Sequence, residues 1–93
     1  VNRSKLYAEH APQSAIEIAN AFAESDLERL GKAAHALKSM SLNIGARRVA
    51  AAASEIERVA RHDRQPPSAD LVADVKTLVA EACEKFEIFK AAA

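Results

Sequence analysis

Three residues on one short stretch have the types and spacing for chemistry. His35 offers an imidazole, Lys38 follows three positions later and Ser39 four positions later. On a helix those offsets share one face. A neutral imidazole is a good nucleophile near pH 7, because its unperturbed pKa is about 6.5. A phosphoryl group is the matching electrophile. Once attached, it would bring negative charge and acceptor oxygens, which Lys38 can offset and the Ser39 hydroxyl can bond. Gly31, four residues before His35, and Ser39 are small and leave room beside the ring for a second protein. Leu42, seven residues on, is a large apolar residue on the same side and is read either as a partner contact or as part of the packed core.

The rest of a catalytic apparatus is missing. There is no carboxylate cluster for Mg²⁺, no Gly-rich phosphate cradle and no nucleotide motif. If a phosphoryl group is transferred, the partner must bring the metal and most of the positioning. No metal site is expected in this chain either. His10, His35 and His62 form no i,i+4 pair, and Cys83 has no second cysteine.

The elements that must carry His35 are helical. Residues Ala11, Ala15, Ile18, Ala19 and Phe22 recur at threes and fours in a segment from about Ser4 to Ala23. Pro12 implies either a separate turn before it or a kinked helix. Ile16 falls off that stripe and is read either as an exposed partner contact or as part of a broad packed face. Ser25 or Asp26 can cap the second helix, from Leu27 to about Leu42. There Leu27, Leu30, Ala34, Leu37, Ser41 and Ile44 keep bundle-seam spacing, and Gly45 is a natural stop. At 100° per residue, His35 lies about 120° from that seam and faces solvent or the bundle rim. A third segment, Ala46 to Arg61, buries Val49, Ala53, Ile56 and Ala60 and leaves Arg47, Arg48, Glu55, Glu57, Arg58 and Arg61 solvated. After the turn at Pro66-Pro67, Ser68 or Asp70 caps a fourth segment, about Ala69 to Phe89. Its stripe is Leu71, Val75, Leu78, Ala82, Phe86 and Phe89. Four amphipathic helices with short connections predict one all-α domain over residues 1–93, an antiparallel four-helix bundle.

Composition closes off other classes. The chain has 93 residues, 49% hydrophobic and 4% aromatic, with two glycines and three prolines. That is too little turn material for an all-β fold. Thirteen basic residues balance thirteen acidic ones, which argues against general nucleic-acid binding. No apolar run approaches the roughly 20 residues of a membrane span. The lone Cys83 and the lack of a signal peptide point to a cytoplasmic setting. Val1 suggests a piece cut from a longer protein.

The run from Leu30 to Ala46, LGKAAHALKSMSLNIGA, resembles the signature of histidine-containing phosphotransfer (HPt) domains, with a His-x-Leu-Lys-Ser core and a following Gly-Ala. Ala11-Pro12, Asp26-Leu27 and Ile56–Arg61 also match family habits. The resemblance implies a four-helix bundle with His35 as phosphoacceptor and Lys38 as the phosphoryl-facing cation. It implies transfer from a receiver-domain aspartate to His35 and on to another receiver, without autonomous kinase activity. No cofactor would be bound by this chain, and Mg²⁺ is expected in the partner receiver. Ser39 stands where the family often has Gly. Such modules occur in multistep phosphorelays, often within hybrid sensor kinases, and this one is expected to be a monomer when isolated. The dimerisation domain of a histidine kinase is disfavoured, because Ala36 stands where that family has an acid. A helical adaptor that binds partners through Leu42, without phosphorylation, is the alternative.

Overall fold

The computed structural model describes the backbone of residues 3–92 and the side chains of residues 5–85. The described residues form four helices: α1 (Arg3–Ala23), α2 (Leu27–Ile44), α3 (Arg47–Arg61) and α4 (Ala69–Ala92). Short connections force neighbours to run antiparallel. Each helix packs on two others in the ring α1–α2–α3–α4, and among the described residues no close backbone contact crosses the diagonals. The all-α bundle expected from the sequence is the observed fold. No helix among the described residues is long and apolar enough to cross a membrane.

Local chemistry sets the helix boundaries. At the end of α1, Ser25 takes a left-handed conformation, φ 57°, and reverses the chain. Asp26 then caps α2, its carboxylate accepting from the Arg29 backbone N–H at 3.1 Å. Gly45 ends α2 with φ 79°, a conformation that glycine adopts without a Cβ penalty. The Ala46 N–H bonds back to the Ser41 carbonyl at 2.8 Å, so a freed carbonyl of the last turn is satisfied. Of the two residues able to cap α4, Ser68 does so, its Oγ accepting from the Leu71 N–H at 3.1 Å.

The core follows the predicted seams, with Ala21 and Ala50 also buried and Ala19, Phe22, Leu27 and Ile44 only half-buried, and with three larger adjustments. Leu30, Ala34, Leu37 and Ser41 of α2 and Val49, Ala53, Ile56 and Ala60 of α3 are buried as expected. First, α1 is a single helix through Pro12. Proline forfeits the bond to the Ala8 carbonyl, but Tyr7 and Ala11 before it and Ala15 and Ile18 after it are all buried. Packing on both sides keeps the helix whole. Second, Tyr7 joins the core, and its hydroxyl meets Ser41 Oγ at 2.9 Å in the interior. Third, α4 is rotated relative to its predicted stripe. Val72, Val75 and Val79 are buried, while Leu71, Leu78 and Ala82 are only half-buried. Apolar residues span a broad arc of α4, and the slimmer valines turn toward the close contacts with α1 and α3. The side chains of Phe86 and Phe89, expected on the stripe, lie outside the described residues.

Candidate functional site

The seam of α2 fixes where His35 points. With Leu30, Ala34 and Leu37 buried, His35 is turned outward toward the α3 edge, and its side chain is 53% exposed. Its Nδ1 meets Glu57 Oε2 of α3 at 2.7 Å. Lys38, one turn along and 28% exposed, donates to the other oxygen, Glu57 Oε1, at 2.7 Å. Arg61 of α3 donates to Glu57 Oε2 at 3.1 Å. One carboxylate thus gathers an imidazole, an ammonium and a guanidinium.

Glu57 is the residue that sequence reasoning missed. It was expected among the solvated positions of α3, yet its side chain is only 13% exposed. The signal lay in the wheel: Glu57 sits about 70° from the centre of the Val49–Ala53–Ile56–Ala60 face. That places it on a flank of the seam, but one helix cannot say which flank meets its neighbour. Burial alone would raise the Glu57 carboxyl. Hydrogen bonds from Lys38 and His35, and the charge they carry, outweigh that and hold it below its ordinary value. An ionised carboxylate only accepts hydrogen bonds. A neutral His35 ring therefore carries its proton on Nδ1, and Nε2 keeps the free lone pair.

The other singled-out residues fall into two groups. Ser39 and Leu42 are exposed on α2 beyond His35, Leu42 by 62%, so Leu42 is not a core residue. Gly31 is buried, and the space it leaves is filled from within the chain by the Arg61 side chain. It therefore does not offer open room beside the ring. Ile16 is 53% exposed and is also no core residue, but it points about 150° from the core-facing side of α1. No hydrogen bond or ion pair draws it toward the His35 cluster.

Two arginines, each with two carboxylate partners, link the elements that carry the site. Arg29 of α2 pairs with Glu17 of α1 and, at 2.9 Å, with Glu24. The hydrogen bonds to those two carboxylates push its guanidinium pKa up. Arg58 bonds Glu55 and reaches Asp63 at 2.9 Å, tying the end of α3 to the following turn. Among the described residues no cluster of His, Cys, Asp and Glu is arranged to hold a metal ion.

Comparison with curated proteins and with solved structures gave no match. The sequence model of the Hpt domain matches residues 5–85, which takes in α2 and α3, most of α1 and α4 and the whole His35–Glu57 cluster. An outward histidine on a closed helical bundle agrees with that match. The chain belongs to the Hpt domain family, whose members transfer phosphoryl groups in phosphorelays and interact with receiver domains.

Proposed function

We propose that His35 is the phosphoacceptor, taking its phosphoryl group from a receiver aspartate and passing it to a second receiver. The observation that carries this is the 2.7 Å contact between His35 Nδ1 and Glu57 Oε2. It leaves Nε2 as the outward nucleophile. In the forward step the Nε2 lone pair forms the N–P bond. The P–O bond to the aspartate breaks, and the carboxylate leaves with the electron pair. The Nδ1 proton stays in the hydrogen bond to Glu57, which offsets the positive charge that develops on the ring. Bound in the receiver, Mg²⁺ would neutralise charge on the phosphoryl oxygens. Lys38 is a cation one turn along the same helix face, and its Nζ can exchange an oxygen of Glu57 for one of the phosphoryl group. Ser39 and Leu42 extend the docking face beyond the ring. Ile16 remains a candidate only for a partner that wraps onto α1. The core closes within one chain, which supports action as a monomer, and the proposed receiver partners support a cytoplasmic setting.

A second reading draws on the same carboxylate. The acid missing at Ala36 is supplied across the bundle by Glu57, so a separate ATP-bearing kinase domain is a competing phosphoryl donor. The adaptor alternative has no comparable support, since the family transfers phosphoryl groups.

Acid-labile label tests these readings. Phosphorylated receivers with Mg²⁺ should label the wild type and leave His35→Gln unlabelled. Label that persists in His35→Gln would overturn the assignment. Labelling by ATP and a kinase domain, with none from a broad panel of receivers, would favour the second reading. Lys38→Ala should slow transfer or shorten phosphohistidine lifetime while the bundle stays folded.

A further inference from the structure

Gly31 is a buried position on α2, yet the reason it lacks a side chain lies on α3. A Cβ there would stand 2.8 Å from Arg61 Cγ, 3.0 Å from Arg61 Nε and 3.3 Å from Arg61 Cδ. The Arg61 stem occupies the notch that glycine leaves. From that seat its Nη1 reaches Glu57 Oε2 at 3.1 Å, the same oxygen that meets His35 Nδ1. Gly31 is also one turn before His35, so the notch and the imidazole are neighbours on α2.

An i,i+4 ion pair on an open helix face is weak, because both side chains remain free to rotate. Arg61 differs in that its stem lies over the notch at Gly31 on another helix, while the side chain as a whole is 46% exposed. From that seat its planar guanidinium donates to Glu57 Oε2. Lys38 holds only the opposite oxygen, Oε1.

We propose that Arg61, seated over Gly31, is a positioning residue that aims Glu57 Oε2 at His35 Nδ1 and so keeps Nε2 free for attack. The proposal rests on the reading of His35 as phosphoacceptor. It also gives Gly31 a role inside the site: the missing Cβ admits the arginine.

Four forms of the chain test this: wild type, Arg61→Ala, Gly31→Ala and the double variant. Two quantities are read in each. One is the His35 tautomer population from ring ¹⁵N shifts. The other is phosphotransfer from a labelled receiver, resolved into the transfer rate and the half-saturating receiver concentration. Arg61→Ala should lower the Nδ1–H population and slow transfer about tenfold, as expected for losing one charge-assisted hydrogen bond, with little change in half-saturation. Gly31→Ala should do the same by evicting the arginine. In the Arg61→Ala background it should add nothing, because no guanidinium remains to evict. Circular dichroism melts show that each variant is folded, and Arg61→Gln replaces Gly31→Ala should the latter fail to fold. Unchanged tautomer populations in Arg61→Ala, or independent effects of the two substitutions, overturn the proposal. The tautomer is read without any receiver, so failure of His35 to take label would sink the functional reading separately.

Discussion

At the scale of single residues, Glu57 is where opposing forces meet. Burial disfavours its charge, while the Lys38 and His35 hydrogen bonds favour it and prevail. Its carboxyl is therefore depressed in the folded chain relative to the unfolded one. Between those two values the unfolded chain binds more protons, so stability rises with pH. The contribution is complete above the ordinary value of 4.5 and disappears as pH falls through the lower folded value. Glu57→Gln should cost about 1 kcal/mol at pH 7, as expected for a hydrogen-bonded charge near the surface. It should also flatten the acid limb of the stability profile. Urea unfolding at pH 7 and at pH 3 measures both, and parallel pH profiles for the two proteins would refute this account. In transfer assays the same variant should be slowed by about two orders of magnitude, if the carboxylate supports the charge developing on the ring.

At the scale of elements, Gly31 within α2 and Gly45 just past its end are needed for opposite reasons. Gly31 has ordinary helical geometry and no space for a Cβ, whereas Gly45 has open space and a left-handed φ of 79°. Gly45→Ala therefore meets no neighbour and should cost only the backbone penalty, about 1 kcal/mol. Thermal denaturation should show that loss while the His35 tautomer stays unchanged. A matching shift in the tautomer would mean that the end of α2 and the site are mechanically coupled, which the geometry does not suggest. Asp26 fixes the other end of α2. Between these caps the helix holds His35 and Lys38 on one face and Leu30, Ala34 and Leu37 on the opposite side.

At the scale of the whole molecule, α1 and α2 are joined through the interior by Tyr7 and Ser41. Burial raises the Tyr7 hydroxyl pKa, despite the opposing Ser41 hydrogen bond, so the phenol stays protonated and neutral at physiological pH. Tyr7→Phe keeps the ring packing and leaves the Ser41 hydroxyl short of a buried partner. It should destabilise the bundle by about 1 kcal/mol, measured by chemical denaturation. A neutral result would mean that Ser41 finds a backbone carbonyl within its own helix. The outer surface answers to a different test. Leu42 projects from the His35 face without core contact, so Leu42→Asp should change stability by less than about 0.5 kcal/mol. If the receiver docks there, the same change should raise the half-saturating receiver concentration severalfold in transfer kinetics.

What the sequence determined by itself was whatever depends on one helix at a time. The spacing of Leu27 through Ile44, the candidate caps Ser25 and Asp26 before it and Gly45 after it defined α2 and turned His35 away from the seam. Those are consequences of a fixed 100° rotation per residue and of unpaired backbone groups at helix ends. The His-x-Leu-Lys run in that helix was enough to suggest the family, and the match over residues 5–85 bears it out. Packing between helices set which flank of α3 faces α2, and with it the pairing of Glu57 with His35 and Lys38. It also set Arg61 in the Gly31 notch, drew Tyr7 into the core and rotated α4 onto its valines. Each of these depends on how one helix is turned against another. That rotation is chosen by the packing of both surfaces together, and neither stretch of sequence contains it alone.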